Sequence, residues 1–448
     1  MSRIMLRLCV ILAGVGALAG AGQAQLRGHG GPVRALAVSP DGTQAISGSF
    51  DTSAIRWSLP RNAAEQVLRF HDGAVNAVAF LKDGRIATSG EDARIAIWRP
   101  GEPQPSLVLE GHQAPVVALA ASPDGTALAS ASWDHSARIW PLGAFSGKVD
   151  TGFPQKMRPT VESGGAPRAI EGHTQNVNGV AFTPDGRALV TAGYDATLRI
   201  WPLDNGAPVV VTLPAPLDSV VVAPDGEIVT SGADGKVYVL SATGELEREV
   251  DAAEMPIIAL ALSPDGKLIA AAGIRGSVAV IDRASRKLER TLVGPGLPVW
   301  SVAFFPDNRT LLTGGTDRTI RRWDAVSGEP LGNVVMGAPE DPLAAFAGDP
   351  GAEVFRACIA CHTLNANAGV RAGPTLAGVF GRKIATLPGY NFSDALKKLD
   401  IVWTPETVSK LFEVGPMAYT PGTKMPEQQI GSADDRAALM KFLEKATR

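Results

Sequence analysis

Cysteine is scarce: the chain has three in 448 residues. Cys9 lies in the first apolar stretch, so Cys358 and Cys361 are the only two elsewhere, and at most one disulfide joins that part of the chain. An excess of positive charge is also missing. The 42 Lys and Arg stand against 45 Asp and Glu, for a net charge of −3. A polynucleotide partner therefore has no electrostatic support. Beyond the first residues there is no apolar run approaching the ~20 residues a membrane helix needs. Histidine occurs only six times, which limits the metal and acid–base chemistry the chain can carry.

The opening residues read as a targeting segment. Arg3 and Arg7 give a positive start, Cys9 to Gly22 is apolar and small, and Gly22-Gln23-Ala24 fits a small-x-small cleavage site. A signal peptide is predicted over 1–24, with the mature chain starting at Gln25. The apolar run is too short to span a bilayer, and Cys9 is too near the positive residues for a lipoprotein cysteine. The mature chain is predicted to lack a transmembrane segment. Export of this kind points to the periplasm of a Gram-negative bacterium.

The length suggests two or three domains. The 49 glycines and 33 prolines recur as turns, with Ser-Pro-Asp-Gly at 39–42, 122–125 and 263–266. Such spacing predicts many short strands. Aligning the Asp-Gly turns gives seven units, starting near Leu26, Leu68, Leu109, Ile170, Leu213, Asp251 and Leu292. The shared pattern is Gly-His, an alternating apolar run, Pro-Asp-Gly, a small-residue run, Asp, and a strand ending in Trp. The fourth unit shows it fully: Gly172-His173, Val177 to Phe182, Pro184-Asp185-Gly186, Asp195 and Leu198 to Trp201.

A period of about 40 residues with these marks resembles WD40 repeats. The resemblance implies an all-β, seven-bladed propeller over 25–336, each blade a four-stranded antiparallel sheet. It also implies that each Gly-His histidine bonds the turn aspartate in a network reaching the Trp. The pairs His29–Asp51, His71–Asp92, His112–Asp134 and His173–Asp195 match. Four histidines are thereby structural, and His135 is the only one left outside these pairs and the motif described below. Units five to seven lack Gly-His. Leu240 and Ile281 replace the Trp in five and six, and six also lacks the aspartate, so these blades are expected to be less rigid. An insert over 141–168, rich in Gly and Pro, reads as a surface loop, either an excursion or a docking loop. Ring closure is open between the N-terminal Gln25-Leu26-Arg27 and a strand over Glu329 to Val335.

The stretch 337–347 is Ala- and Pro-rich without strand alternation and reads as a linker. From 348 to 448 the pattern is helical. Asp349 caps a helix with Pro350 at its first position, which runs into Cys358-Ile-Ala-Cys361-His362. Cys-x-x-Cys-His is the attachment signature of c-type haem. Each thiol adds to one vinyl group of the porphyrin, and two intervening residues in a tight turn set the sulfur separation. The next residue, His362, then lies under the iron as a ligand. A thioredoxin-like pair would need a βαβ context, and a zinc site would need ligands that are not there.

Residues 349 to 448 resemble a class I cytochrome c of the mitochondrial or cytochrome c2 type, an all-α fold. The resemblance rests on Cys358-Ile-Ala-Cys-His-Thr-Leu, Gly373-Pro374-Thr-Leu-Ala-Gly-Val-Phe-Gly381-Arg382-Lys383, Gly389-Tyr390, Trp403, Pro421-Gly422-Thr423-Lys424-Met425 and a closing helix from Asp434 to Thr447. It implies one haem c, covalent through Cys358 and Cys361, with His362 and Met425 on the iron. Pro374 matches the carbonyl that accepts from the haem histidine, Trp403 the indole that donates to a propionate, Arg382 the cation beside it, and Thr423 a haem contact in the lead-in to Met425. Met417 lacks that lead-in and reads as packing, and Met440 lies in the last helix. Phe355 with Leu439, Phe442 and Leu443 matches the contact of first and last helices. Two departures stand out. Phe392 occupies the place of a propionate-bonding tyrosine, and Leu411 or Phe412 replaces a distal-side tyrosine.

With both axial positions taken, such a site favours electron transfer over catalysis. Lys383, Lys397, Lys398, Lys410 and Lys424 are candidates for a docking rim facing periplasmic redox proteins, and the propeller is a further docking platform. Two alternatives have the chain as the cytochrome subunit of a periplasmic dehydrogenase or oxidase, or as a propeller enzyme fed electrons by its cytochrome, as in haem-d1 nitrite reductases. The propeller's lack of spare histidines and of dense carboxylate or cysteine clusters weighs against the enzyme.

Overall fold

The small-residue run in each repeat becomes the second strand of a four-stranded sheet. Gln44–Ser49, Ile86–Gly90, Ala127–Ser132, Ala188–Gly193, Ile228–Gly232, Leu268–Gly273 and Thr310–Gly315 are buried along nearly their whole length. Neighbouring sheets close on both faces of these strands, so Ala, Ser, Thr and Gly fill the narrow space without overpacking. Seven such antiparallel sheets form the propeller in a computed structural model of the chain. The structure describes residues 25–143, 166–254, 256–293, 298–331, 343–356, 358–359, 362–365, 373–388, 390, 392–421, 423, 425 and 429–447. The predicted signal segment and most of the 141–168 insert lie outside them.

The innermost strands of successive blades pack on one another, and Val33–Val38 against Val299–Phe304 completes the circle. Both chain ends contribute to closure. Gln25–Arg27 pairs antiparallel with Thr319–Arg321 as the outer strand of the last blade. Farther along the same edge, Pro330 bridges Trp323, and the Leu331 amide donates to the Arg322 carbonyl. The two closures left open by sequence are therefore used side by side.

The turn aspartates work as expected and the network has one more member. His29 Nδ1 donates to Asp51 at 3.0 Å, and its Nε2 accepts from the Ser47 hydroxyl at 2.7 Å, which in turn accepts from the Trp57 indole at 2.7 Å. The same relay runs His71–Thr88–Trp98, His112–Ser130–Trp140 and His173–Thr191–Trp201. The hydroxyl always stands ten residues before the Trp, a spacing visible in sequence. The last blade, without the histidine, keeps Trp323 to Thr313 at 3.0 Å. Blade five substitutes Tyr238, whose hydroxyl donates to Asp234 at 2.6 Å. The unpaired His135 is exposed at the turn after Asp134 with φ of 68°, the left-handed position filled by Thr52, Ala93 and Ala196 in the other full repeats.

Among the described residues the C-terminal domain holds five α-helices: α1 (Pro350–Phe355), α2 (Asp394–Lys397), α3 (Pro405–Val414), α4 (Pro416–Tyr419) and α5 (Ala433–Ala446). Asp349 caps α1, accepting from the amides of Gly351 and Ala352. Thr404 and Thr407 form a reciprocal capping box on α3. Helices α1 and α5 cross closely, with the Phe355 and Phe442 rings 5.4 Å apart. Gly351 makes the crossing possible, because a Cβ there would run into the Ala438 carbonyl and Phe442. Leu343 and Phe346, inside the stretch read as linker, belong to this core. A 3-10 turn over Ala344–Phe346 sets Phe346 edge-on to Phe442 at 5.1 Å.

Candidate haem site

The chain leaves α1 still coiled. The Cys358 and Ile359 amides donate to the Phe355 carbonyl, and the His362 amide donates to the Cys358 carbonyl at 3.0 Å. Cys358, which is buried, and His362 both line a cavity. Cys361 lies outside the described residues. His362 Nδ1 lies 2.8 Å from the Pro374 carbonyl. A carbonyl only accepts, so the proton sits on Nδ1 and Nε2 is the nitrogen that keeps a lone pair for a metal.

Another part of the lining comes from the segment after α4. The Thr423 amide donates to the Thr420 carbonyl, and the Met425 amide donates to Thr423 Oγ1 at 3.1 Å. This turn brings Thr423 and Met425 to the same cavity. Met425 is half-buried against the α1–α3–α5 core. The Met417 side chain is outside the described residues, and Met440 is buried within the core.

Arg382 and Trp403 are fixed side by side by backbone. The Trp403 amide donates to the Arg382 carbonyl at 2.9 Å, and Gly381 donates back to Trp403 at 2.8 Å. Gly381 takes φ of 85° to make the turn. Arg382 Nη2 donates to the Thr375 carbonyl at 3.0 Å, and partial burial lowers its pKa from the ordinary arginine value. Arg382, Trp403 and Pro374 all line the cavity. Of the residues singled out in sequence, Cys358, His362, Pro374, Arg382, Trp403, Thr423 and Met425 thus converge. Leu411 and Phe412, both buried, line it too. So do residues not expected at this site: Ile384, Leu387 and Val408 from the apolar wall, and Asp51 and Arg69 from the propeller.

The empty space is about 1500 Å³ including its mouth. Its wall is mostly apolar, with an imidazole and a thioether from separate segments and a buried thiol beside the imidazole. A large, flat, apolar group carrying a soft-ligand metal is what such a wall accommodates.

The family description "WD domain, G-beta repeat" matches residues 21–58, 63–99, 103–141, 166–202 and 286–324. Blade five and the first three strands of blade six, which lost the Trp, fall outside those spans. The description "Cytochrome c" matches 348–447. The chain is 41% identical over 110 residues to cytochrome c type-1 of Ascaris suum, covering 24% of this chain and 93% of that protein. It is 41% identical over 99 residues to cytochrome c of Arabidopsis thaliana, covering 22% and 88%. It is 43% identical over 99 residues to cytochrome c 2.1 of Caenorhabditis elegans, covering 21% and 86%.

Through its C-terminal domain the chain belongs to the cytochrome c family. It is a fusion of a WD40 propeller with a cytochrome c domain, and that domain implies electron transfer with haem. The lysines expected to rim the haem are partly engaged. Lys383 pairs with Asp400 at 2.8 Å and Lys410 with Glu413 at 2.9 Å. Lys424 lies outside the described residues.

Proposed function

We propose that the protein is an exported, periplasmic electron carrier with one haem c, whose propeller docks the redox partner. The observation that carries the haem reading is the His362–Pro374 bond, because it fixes the imidazole tautomer in the cavity that Met425 also lines. Cys358 and Cys361 would hold the haem covalently, and His362 and Met425 would ligate its iron. The bound haem supplies a one-electron Fe(III)/Fe(II) couple. The chain's residues bind and orient it: the apolar wall excludes water, Pro374 fixes His362, and Trp403 and Arg382 offer donors to carboxylates at the cavity edge. A thioether ligand favours the reduced state relative to a second imidazole.

The docking role is supported by one face of the propeller. Phe50, Trp133 and Tyr194 each precede a turn aspartate, and all three are exposed. Phe50 packs on Trp300 at 6.0 Å, and Arg34 lies over the same Trp300 ring at 5.2 Å. Trp133, Tyr194, Trp300 and Arg34 line the mouth of the central channel. Aromatic and Arg side chains concentrate binding energy at protein interfaces. Asp51, the neighbour of Phe50, also lines the haem cavity, so a partner held at this mouth would sit close to the haem.

The test is the composition of the mature protein purified from an exporting host. Haem retained through acid–acetone extraction, at one per chain, with an N-terminus at Gln25, is expected. Two haems, extractable haem or an intact N-terminus would overturn the corresponding part of the reading.

A further inference from the structure

Arg69 ends the outer strand of the first blade, Ala63–Arg69, yet it lines the cavity of the other domain. Its guanidinium carbon lies 4.9 Å from the centre of the Tyr390 ring. Tyr390 in turn packs on Phe392 at 4.6 Å. Arg69 Nη1 is buried and has no hydrogen-bond partner among the described residues. A buried guanidinium N–H without an acceptor is costly unless a ligand supplies one. Asp51, the nearest propeller carboxylate on the cavity wall, is already engaged. It accepts from His29 Nδ1, from the Gly30 amide and from Ser53.

Arg382 and Trp403 line the same cavity as Arg69 and Tyr390. Phe392, which packs on Tyr390, brings no hydroxyl to this part of the wall. From the orphaned donor, its place on the wall and that missing hydroxyl, we infer that Arg69 is a positioning residue for the haem, donating from the propeller to a haem propionate. This rests on the reading that the cavity holds haem. The guanidinium adds positive charge beside the couple. The reduced iron carries one positive charge less, so Arg69 stabilises the reduced form and raises the potential. It also ties the cytochrome domain to the propeller through the cofactor.

The test uses the full chain with its haem. Wild type, Arg69→Gln, Arg69→Met and Arg69→Lys are compared for covalent haem per chain and for midpoint potential by spectroelectrochemical titration. Haem content is expected to be equal in all. In Arg69→Gln and Arg69→Met the Fe(III)/Fe(II) ratio at the wild-type midpoint should rise about tenfold, a fall of about 59 mV for one electron. Arg69→Lys, which keeps the charge, should fall by less than half as much. Lys267→Gln removes an exposed cation that does not line the cavity, and should leave the midpoint unchanged. Either neutral variant, if folded by circular dichroism, decides the question. A wild-type midpoint in that variant, or an equal fall in Lys267→Gln, overturns the assignment of Arg69. Wild type without covalent haem overturns the haem reading instead, so the two failures are distinct.

Discussion

The two domains reach order by opposite routes. In the propeller, each complete repeat ties His, Asp, a hydroxyl and Trp into one relay between strands. That relay is closed by the chain's own side chains. In the cytochrome domain the helices α1, α3 and α5 share one core, but Cys358, Leu411, Phe412 and Met425 of that core also line a cavity. A chain of about 100 residues with its core opened in this way has little stability to spare. The regular blades are held by relays of their own side chains, whereas the cytochrome domain keeps a cavity in its core.

The strongest way to break that comparison is to remove the attachment. In Cys358→Ala/Cys361→Ala, nearly all covalent haem should be lost, and helical ellipticity should fall while the β signal of the propeller persists. Acid–acetone extraction and far-UV circular dichroism read both. Full haem on the double variant, or loss of the propeller with it, would show the division between domains to be wrong.

A smaller effect follows from Met425→Ala. The haem should stay attached, the potential should fall, and the iron should bind carbon monoxide or cyanide, because a soft axial position is vacated. Met417→Ala should do none of this. The reverse result would place the ligand at Met417.

Much of this arrangement was legible because it repeats or because chemistry demands a spacing. The Asp-Gly turn recurs six times, with Asp307-Asn308 in the seventh unit, the His-to-Asp pair recurs four times, and Cys358 to His362 is a motif with a geometric reason. Other features leave no local trace. Gln25–Arg27 closes the ring, but three residues have no period to read. Leu343 and Phe346 lie in an Ala- and Pro-rich stretch, and only the position of Phe442 makes them core. Arg69 and Asp51 reach the haem cavity because two domains meet, which no spacing along the chain records. The Ser/Thr hydroxyl ten residues before each Trp was readable in principle, yet a hydroxyl in a small-residue run looks like filler until its partners are known.

Gly351→Ala sharpens the comparison from inside the cytochrome domain. The added Cβ has no room beside Ala438 and Phe442, so α1 and α5 must move apart. Overpacking of this kind costs about 1–3 kcal/mol. Because the haem thiols follow directly on α1, the melting temperature of the haem domain, followed by haem absorbance, should fall while that of the propeller is unchanged. An unaltered haem-domain melt would mean the crossing is looser than it is drawn here.

The smallest effects belong to the propeller, where blade two is set against blade five. Asp92 accepts from His71, from the Asp72 amide and from Arg94. Burial pushes its carboxyl up, but the His71 hydrogen bond and charge outweigh it and hold the pKa down to about 2, from an ordinary 3.8. A carboxylate depressed in the folded state stabilises fully above its unfolded value and loses that contribution as pH falls toward the folded one. Asp92→Asn should therefore cost about 1–3 kcal/mol at pH 7. Its melting curve should approach wild type as pH drops from about 4 toward about 2, where wild-type Asp92 takes up its proton. Tyr238→Phe removes the single bond that replaces the relay in blade five, Tyr238 to Asp234 at 2.6 Å. That leaves an aromatic ring of the same shape, so the cost at pH 7 should be nearer ~1 kcal/mol. If Tyr238→Phe proves as damaging as Asp92→Asn, the irregular blades are as tightly bonded as the regular ones, and the missing Gly-His histidine has been fully compensated.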